Sequence, residues 1–349
     1  MRIGIVGATG AVGREMISIL ETRKFPITEW IPFGSSRSEG TAVTLRGLTR
    51  KVEKLSEKRL AETDIVFFDA SDAVSAEWVP IALKSGTIVV DNSATFRLDP
   101  KVVLGVPEVN GETLVERFRA GDRLFAGPNC TTVPLTLVLK ALQNLTPIKR
   151  IVVSTYQSVS GAGTLAIDEL VDGTAAKIAG KPFNYEQFAH PMAFNLIPHI
   201  GSFGDDGYTS EERKVISESR KILGNENLKI AVTAVRVPTL RCHGESISIE
   251  FSSEIDLNRV NTALQNFPGI QVLDSPKEKK YPLNISNEEK GVPGGTGADP
   301  VFVGRVRRDP SVDHGIQLWL ISDNLRKGAA LNAIQIAETF FPHLRGSQL

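Results

Sequence analysis

The chain contains only two cysteines, and one of them stands where a thiol could act as a nucleophile. Cys130 lies in AGPNCTTVPL, directly before Thr131 and Thr132, which are candidate caps for a following apolar helix. A thiolate at a helix N-terminus is stabilised by the helix dipole, and the thiolate is the reactive form of cysteine. Because Cys130 and Cys242 are too few for a disulfide framework or a four-thiolate zinc site, we expect free thiols and no metal site. The alternative for Cys130 is a small buried hydrophobic residue.

A glycine-rich turn follows the first apolar run of the chain. The segment GATGAVG leads directly into a helical pattern. Gly7 permits a tight turn, Gly10 lets a pyrophosphate approach the backbone and Gly13 allows close helix packing, so the segment predicts a dinucleotide site. The predicted cofactor contacts are Gly7, Thr9, Gly10, Ala11, Val12 and Gly13. The spacing differs from the commoner GxGxxG, and a tight turn without a ligand is the alternative.

The expected end of the second strand carries no acidic residue for the ribose 2′-hydroxyl of NAD. The chain there reads FGSSRSEG, in which the hydroxyl groups and the guanidinium belong to Ser35, Ser36, Arg37 and Ser38. This combination suits a 2′-phosphate, so NADP is favoured over NAD. The alternative for Arg37 is a solvated loop charge.

A nicotinamide cofactor gives the thiol a chemical purpose, since a cysteine can hold a carbonyl group as a thioester or thiohemiacetal for hydride transfer. That chemistry needs a base, and the chain has five histidines. His243 is the strongest candidate because it lies in VRVPTLRCHGESISIEF, after Arg236 and before a β-rich run. A structural histidine is the alternative, and it is how we interpret His190, His199, His314 and His343.

Two kinds of domain are expected to position these residues. Near-continuous apolar runs at 2–6, 64–70 and 87–91 alternate with helical patterns at 11–23 and 76–86, which predicts a doubly wound α/β domain. The later strands are longer and alternating, at 229–238, 245–251 and 315–322, which favours an antiparallel or mixed sheet with one helix-covered face. We expect a loop-rich stretch over 171–210 and one amphipathic helix over 324–341.

Composition restricts the class of protein. With 349 residues, 41% of them hydrophobic, the chain can form a large core in two domains. Lysine plus arginine and aspartate plus glutamate number 40 each, so we expect neither nucleic acid nor a membrane as partner. The N-terminus has no signal-type stretch and no window is apolar over about 18 residues, which favours a cytoplasmic protein.

The sequence resembles the bacterial aspartate-semialdehyde dehydrogenases along nearly its whole length. That family's order and spacing are matched by GATGAVG, DNSATFR, VPEVN, GPNCTT, YQSVSGAG, VRVP-TLRCH and SDNLRKGAALNA. The resemblance implies a Rossmann-type NADP-binding domain over residues 1–130, completed by a C-terminal helix over 325–349. It also implies an α+β catalytic and dimerisation domain of the glyceraldehyde-3-phosphate-dehydrogenase-like type over 131–324.

The same resemblance implies roles for single residues. Cys130 resembles the nucleophile, His243 the acid/base and Gln157 the residue that positions the acyl intermediate. Arg236 resembles the clamp for the substrate α-carboxylate, to which its planar fork can donate two parallel hydrogen bonds. Glu211 resembles the carboxylate that receives the substrate ammonium. The implied phosphate ligands are Lys214, Arg97, Asn92 and Asn129, and the implied nicotinamide contacts are Ser160, Gly161 and Asn324.

Glu212 could substitute for Glu211 as the partner of the ammonium. Three residues depart from the family's pattern: Gly127, where asparagine is common; Ser158, where alanine is usual; and Cys242, directly before the histidine. They leave the implied reaction intact but bear on the fit of the loops.

The resemblance implies reversible NADPH-dependent reductive dephosphorylation of L-aspartyl 4-phosphate to L-aspartate 4-semialdehyde and phosphate. The reaction would pass through a cysteine thioester and serve lysine, threonine and methionine biosynthesis. Two alternatives stay open: another acyl-phosphate reductase, such as N-acetyl-glutamyl-phosphate reductase, and a non-catalytic NADP-binding regulator.

The second domain also predicts an assembly. ESISIEF and GIQLWLIS place large apolar side chains, Trp319 among them, at alternate positions, so the sheet face without helices should need cover. We therefore expect a sheet-mediated homodimer with twofold symmetry, which could pair further into a homotetramer.

Overall fold

The structure is a computed structural model that describes residues 1–344, and the chain divides into two compact units. The first contains Met1–Asn129 and the segment that begins at Ala329, and the second contains Cys130–Gly328. Residues 345–349, the end of the predicted C-terminal helix, lie outside the described residues. No helix over residues 1–344 combines the length and the apolar character needed to cross a bilayer.

The first unit is built on a parallel sheet that is covered on both faces. Its strands are β1 (Arg2–Val6), β2 (Glu29–Phe33), β3 (Ala42–Leu45), β4 (Leu48–Lys51), β5 (Ile65–Phe68), β6 (Ile88–Asp91), β7 (Val103–Leu104) and β8 (Leu124–Ala126). β3 and β4 form an antiparallel hairpin, and the other six form one parallel sheet in the order β2-β1-β5-β6-β8-β7. Phe67 packs into one apolar core and its neighbour Phe68 into another, so both faces of β5 are buried. The predicted doubly wound domain is confirmed.

Helices connect these strands. They are α1 (Ala11–Thr22), α2 (Glu57–Leu60), α3 (Asp72–Lys84) and α4 (Pro107–Arg119). β1 leads into α1 through the glycine turn, and β5 leads into α3. The carboxyl ends of parallel strands meet at one edge of such a sheet, which is where ligands bind in this class of fold.

The second unit contains a mixed sheet. Its helices are α5 (Thr132–Leu142), α6 (Thr164–Ile178), α7 (Ser210–Leu223) and α8 (Leu257–Asn266), with 3₁₀ turns at Val159–Ala162, Pro276–Glu278 and Glu288–Lys290. Its strands are β9 (Ile148–Gln157), β10 (Ile230–Arg236), β11 (His243–Phe251), β12 (Ile270–Val272), β13 (Val301–Arg308) and β14 (Gly315–Ser322). The order is β10-β9-β11-β14-β13-β12, with parallel pairs at both ends and antiparallel pairs between. The predicted mixed sheet is confirmed.

The two faces of this sheet differ in polarity. The inner face, which is buried, carries Ile151, Val153, Ile247, Ile249, Leu318 and Leu320. The outer face carries the alternating residues, including Ser154, Tyr156, Ser246, Ser248 and Trp319. Tyr156 is 39% exposed, and its ring meets that of Trp319 edge-on at 5.4 Å. The outer face therefore carries large apolar residues at Tyr156, Trp319 and Ile321, whereas the other aliphatic residues of both segments point inward.

Part of the stretch predicted as loop is helical. α6 continues through residue 178, well into the 171–210 segment. Its buried residues are Ala166, Glu169, Leu170 and Gly173, which recur at helical spacing. Gly173 and the surrounding polar residues suggest a loop in the sequence. In the structure, Phe183 and Tyr185 pack against this glycine, since a Cβ there would lie 3.3 Å from both rings.

The C-terminal segment is not the single helix that the pattern predicts. A π-helical turn spans Arg326–Ala330, α9 spans Leu331–Glu338, and a separate short helix, α10, spans Phe341–Leu344. α9 contributes Leu331, Ile334 and Ile336 to the core of the first unit. Phe340, between the two helices, stacks on Phe118 with ring centroids 4.5 Å apart. Packing onto this core breaks the regular helix after α9.

Candidate active site

Strand register places three of the predicted site residues side by side. Arg236 pairs with Gln157 across β10 and β9, and Gln157 pairs with His243 across β9 and β11. Paired residues of neighbouring strands point to the same face of a sheet. These three residues, all buried, therefore form one polar row at the end of the inner face.

Cys130 lies directly before α5, as the sequence predicts for a candidate nucleophile. It is partly buried, and Thr131 occupies the cap position, although its side chain makes no capping hydrogen bond. Gly328 approaches the cysteine closely, because a Cβ on this glycine would lie 3.0 Å from the Cβ of Cys130. The cysteine thus sits at the start of a helix, with backbone packed against it.

His243 is held in one tautomer. The backbone N–H of Ser158 donates to Nδ1 at 3.0 Å, so Nδ1 must be the acceptor and Nε2 carries the hydrogen of the neutral ring. Nε2 is buried and has no hydrogen-bond partner among the described residues. Burial, reinforced by the charge of Arg236, lowers the pKa of His243 to about 3. The imidazole is therefore a neutral N–H donor at neutral pH.

Arg236 is anchored beside this ring. Its Nη1 donates to the carbonyl oxygen of Ser158 at 2.7 Å. Burial lowers the pKa of Arg236, while the charges of Glu211 and Cys130 act in the opposite direction. A side chain on Gly161 would lie 3.1 Å from Nη1 and 3.3 Å from Nε2 of His243. The glycine therefore leaves the space beside both nitrogen atoms open.

A chain of hydrogen bonds runs from the sheet to α7. Thr155 Oγ1 donates to Gln157 Oε1 at 2.9 Å, and Gln157 Nε2 donates to Glu211 Oε1 at 3.0 Å. The other carboxylate oxygen of Glu211 lies 3.7 Å from the Lys214 ammonium. Glu211 is only 7% exposed, so the first turn of α7 presents a nearly buried negative charge to the polar row.

Glu212 has a structural task instead. Its carboxylate accepts the backbone N–H of Thr209 at 2.7 Å, which completes a capping box at the start of α7. The other oxygen accepts the backbone N–H of Ala234 at 3.0 Å. Both oxygens are engaged, so Glu212 is not the substitute for Glu211 that the sequence leaves open.

Ser158, Ser160 and Asn324 form a buried network behind the histidine. Asn324 Oδ1 accepts hydrogen bonds from both serine hydroxyl groups and from the backbone N–H of Cys242. Ser158 Oγ also lies 3.2 Å from His243 Nδ1. The Ser158 hydroxyl group, which stands where alanine is usual in the family, thus contacts both the His243 ring and the Asn324 side-chain amide.

Cys242 has the surroundings of an inert thiol. It is fully buried, its backbone adopts a left-handed φ of 70°, and its sulfur lies 3.4 Å from Thr296 Oγ1. Burial raises the pKa of Cys242 to about 12. Because a thiol must ionise to act as a nucleophile, Cys242 is a poor competitor for Cys130.

The glycine turn of the first unit has the shape that a dinucleotide requires. Gly7 has a φ of 82°, and a Cβ on it would lie 2.1 Å from the Asp69 carbonyl oxygen. A Cβ on Gly13 would lie 2.2 Å from the Gly7 carbonyl oxygen, so α1 packs tightly on the turn. Gly10 caps α1 without a side chain and leaves the helix N-terminus open to an anion.

A cavity of about 620 Å³ opens at this turn. Among its lining residues are the predicted cofactor contacts Gly7, Thr9, Gly10, Ser35, Ser36, Arg37 and Ser38. The predicted contacts Ala11, Val12 and Gly13 belong to α1, while Ser160, Gly161 and Asn324 belong to the second unit. The sequence reasoning missed Lys54, Asp69 and Trp78 in the cavity wall. Of these three residues, only Asp69 could be singled out from the sequence, because it stands at the end of an apolar run that predicts a buried strand.

Asp69 is an unusual neighbour for an anionic ligand. Asn92 Nδ2 donates to its Oδ1 at 2.6 Å, and its Oδ2 atom is buried without a partner in the described part of the chain. Burial raises the pKa of Asp69 to about 7, the charge of Asp91 adds to the effect, and the bond from Asn92 opposes it. This carboxyl group therefore changes its charge near neutral pH.

The remaining predicted phosphate ligands, Arg97, Asn92 and Asn129, belong to the first unit. Arg97 Nη2 donates to the Asn92 carbonyl oxygen at 2.6 Å. A Cβ on Gly127 would lie 2.1 Å from Asn92 Oδ1, so the departure from the family's pattern at this position leaves room for the Asn92 side chain.

Comparison with known proteins places this geometry in a family. Residues 2–117 match the family model "Semialdehyde dehydrogenase, NAD binding domain", and residues 139–327 match "Semialdehyde dehydrogenase, dimerisation domain". The chain is 44% identical to the aspartate-semialdehyde dehydrogenase of Aquifex aeolicus over 339 residues, 97% of each chain. The crystal structure of Vibrio cholerae aspartate semialdehyde dehydrogenase II complexed with ASA is 39% identical and superposes with a TM-score of 0.92 over 99% of each chain.

A more distant structure extends the likeness of fold. The Candida albicans aspartate semialdehyde dehydrogenase with NADP is 24% identical and has a TM-score of 0.72, covering 97% of this chain and 98% of its own. The similarity to the bacterial enzymes extends over nearly the full length of the chain, so the predicted family is confirmed. The chain belongs to the aspartate-semialdehyde dehydrogenases, a family of oxidoreductases of amino-acid biosynthesis.

Proposed function

We propose that the chain catalyses the reversible NADPH-dependent reductive dephosphorylation of L-aspartyl 4-phosphate to L-aspartate 4-semialdehyde and phosphate. The observation that carries the proposal is the row of Arg236, Gln157 and His243, in which Gln157 donates to Glu211 and the charges of Glu211 and Cys130 act on Arg236. The row offers a guanidinium, an amide and an imidazole beside a thiol. The product would serve lysine, threonine and methionine biosynthesis.

The cofactor requirement fits the first unit. A dinucleotide needs a turn without side chains and an open helix N-terminus, and Gly7, Gly10 and Gly13 meet both needs. NADPH supplies a hydride when it is bound. Ser160, Gly161 and Asn324 stay predicted contacts of the nicotinamide.

The amino-acid end of the substrate would be read by two opposite charges. Arg236 can donate two parallel hydrogen bonds to the α-carboxylate, and the buried Glu211 carboxylate can receive the α-ammonium. Lys214, Arg97, Asn92 and Asn129 stay predicted ligands of the phosphate. Binding both ends would fix the reacting carbonyl group and lower the entropic cost of the reaction.

Cys130 forms and breaks the covalent bond to the substrate, and His243 assists. The Cys130 thiolate attacks the acyl carbon, a C–S bond forms, and phosphate leaves with the electrons of its C–O bond. The thioester accepts a hydride at carbon and becomes a thiohemiacetal anion, which re-forms its carbonyl group as the C–S bond breaks. The N–H of His243 at Nε2 and the backbone N–H groups at the start of α5 can stabilise the negative oxygen. His243 stays the predicted acid/base of the reaction.

One assay tests the proposal directly. Purified protein should reduce NADP in the presence of L-aspartate 4-semialdehyde only when phosphate is added. Turnover of the N-acetyl-glutamyl analogue that is indifferent to Glu211→Ala would identify another acyl-phosphate reductase. NADPH binding without any substrate modification of Cys130 would identify a regulator.

Arg37 should set the preference for NADP. It is exposed in the cavity wall, where a guanidinium can pair with a 2′-phosphate. We expect Arg37→Ala to lower the affinity for NADPH about tenfold, or about 1.4 kcal/mol, and to leave the affinity for NADH nearly unchanged. Arg50→Ala, which removes a charge that pairs with Glu29 outside the cavity, is the control. Equal losses for both cofactors would contradict the assignment.

Asp69 should make cofactor binding depend on pH. As the pH rises through about 7, the carboxyl group ionises and repels the pyrophosphate, so affinity for the cofactor should fall. Asp69→Asn should remove this dependence and bind more tightly at alkaline pH. NADH is the matched ligand because it lacks the titrating 2′-phosphate. If the affinity of Asp69→Asn for NADH still falls as the pH rises, Asp69 is not the source of the pH dependence.

The raised pKa of Asp69 also affects stability. Between pH 3.8, the ordinary pKa of an aspartate, and pH about 7, the folded protein holds a proton on Asp69 that the unfolded chain has lost. The free energy of unfolding therefore falls progressively as the pH rises through that range. Asp69→Asn should therefore raise the melting temperature at pH 8 more than at pH 4. Equal shifts at both values would contradict the assigned pKa.

The outer face of the second sheet is the proposed interface of a homodimer, and a homotetramer is its proposed extension. The "dimerisation domain" model covers this sheet, and Tyr156 and Trp319 give the face an aromatic patch. Sedimentation at micromolar concentration should show a dimer or a multiple of it. Tyr156→Glu should shift the protein toward monomer. A wild type that sediments as a stable, fully active monomer would contradict the proposal.

A further inference from the structure

Glu245 is a buried carboxyl group that none of the proposed steps uses. It lies on the inner face of β11, two residues after His243, and is 0% exposed. Neither carboxyl oxygen has a hydrogen-bond partner among residues 1–344. Buried polar groups are almost always hydrogen-bonded, so this one calls for an explanation.

Burial favours the protonated form of Glu245. Burial raises its pKa well above the usual range, and no neighbouring charge offsets this effect. A protonated carboxyl group has one O–H donor, and leaving that donor unpaired is costly in an apolar interior. An acceptor within reach of the side chain would relieve the cost.

Thr155 is such an acceptor. It lies directly opposite Glu245 in the register of β9 and β11, where facing Cβ atoms are about 4.5–5.5 Å apart. Thr155 Oγ1 donates its single hydrogen to Gln157 Oε1 and keeps lone pairs for a donor of its own. The two groups are not bonded in the rotamer of the structure, so the bond requires the Glu245 carboxyl group to turn toward the facing residue.

We propose that Glu245 is a positioning residue, whose neutral carboxyl group donates to Thr155 and so fixes the direction of the hydrogen bonds that turn Gln157 toward Glu211. Thr155 and Gln157 then each accept at one end and donate at the other, and successive bonds strengthen one another. An ionised Glu245 would reverse the first link, because its carboxylate would accept the hydrogen bond of the Thr155 hydroxyl group and leave Gln157 Oε1 without its donor.

The effect on catalysis rests on the proposed roles of Gln157 and Glu211 in substrate binding, but the hydrogen bond itself can be measured without any turnover. Infrared difference spectra between wild type and Glu245→Gln should show the C=O band of one protonated, hydrogen-bonded carboxyl group. Thr155→Val should shift this band to higher frequency, because the O–H loses its acceptor. Absence of the band, or a band unmoved by Thr155→Val, would overturn the proposal whether or not the proposed function holds.

Kinetics then test the positioning role. Glu245→Met should raise KM for the semialdehyde about fivefold, the worth of one hydrogen bond, with KM for NADP unchanged. Glu245→Gln, which can still donate to Thr155, should restore KM to within about twofold of wild type. Leu320→Met, at the position opposite Glu245 on β14, is the packing control and should leave KM unchanged.

A double-mutant cycle completes the test. In a Thr155→Val background, Glu245→Met should have no further effect on KM, because the chain is already broken. Additive effects of the two substitutions, or a Glu245→Gln variant as impaired as Glu245→Met, would show that Glu245 acts only through packing and would overturn the proposal.

Discussion

Replacing Cys130 by alanine is expected to lower turnover by about four orders of magnitude or more while NADP binding stays near normal. The sulfur would form and break the bond to the acyl carbon, and the guanidinium of Arg236 and the amide of Gln157 cannot replace it as nucleophiles. The glycine turn that would bind the cofactor lies in the first unit, so the substitution should not disturb it. Turnover with the semialdehyde and cofactor affinity by fluorescence titration measure the two effects separately.

Cys242→Ala is the matched control for that experiment. The Cys242 thiol is buried beside Thr296, and burial raises its pKa to about 12, so its loss should leave substantial activity. Mass spectrometry after incubation with L-aspartyl 4-phosphate and without cofactor should find the acyl adduct on Cys130 alone. An inactive Cys242→Ala beside an active Cys130→Ala would overturn the assignment of the nucleophile.

Replacing Arg236 by alanine is expected to lower kcat/KM for the semialdehyde between about 10²- and 10⁴-fold, because two charge-assisted hydrogen bonds to the α-carboxylate are worth about 1.5–3 kcal/mol each. KM for NADP and for phosphate should change little. The Arg236 guanidinium also donates to the Ser158 carbonyl oxygen, so the variant's melting temperature must be measured alongside its kinetics.

Arg236→Lys tests the geometry of the clamp. Lysine keeps the charge but cannot present two parallel N–H donors, so it should recover less than a tenth of the lost activity. Arg220→Ala is the control, since this arginine of α7 donates to the Leu228 carbonyl oxygen. Full recovery by lysine would show that Arg236 supplies only charge, and the bidentate clamp would have to be abandoned.

Hydrophobic patterning was sufficient to predict both sheets. A parallel strand buried on both faces must be apolar at nearly every position, and β5 and β6 meet this condition in the sequence itself. Patterning failed at α6, where the polar residues after Leu170 conceal a helix whose buried side packs on Phe183 and Tyr185. That contact comes from residues outside the helix, so local sequence carries little sign of it.

The C-terminal segment shows the same limit. Its periodicity is helical, yet the chain forms a π-helical turn, α9 and a separate α10. The breaks are set by packing, because Phe340 stacks on Phe118 between the two α-helices. The spacing of apolar residues indicates only that a segment is amphipathic, whereas tertiary contacts decide where its helix ends.

Sequence alone determined the family, the two sheets and the candidate residues, because glycine spacing, apolar runs and motif order are local properties of the chain. Only the tertiary structure decided between neighbours of the same type: Glu211 faces Gln157, whereas Glu212 is held by two backbone N–H groups. Only strand register could place Arg236, Gln157 and His243 in one row, and only the Ser158 N–H could fix the tautomer of His243. Burial likewise raised the pKa values of Asp69 and Glu245, since a carboxyl group's pKa depends on what surrounds it in space rather than on its neighbours in sequence.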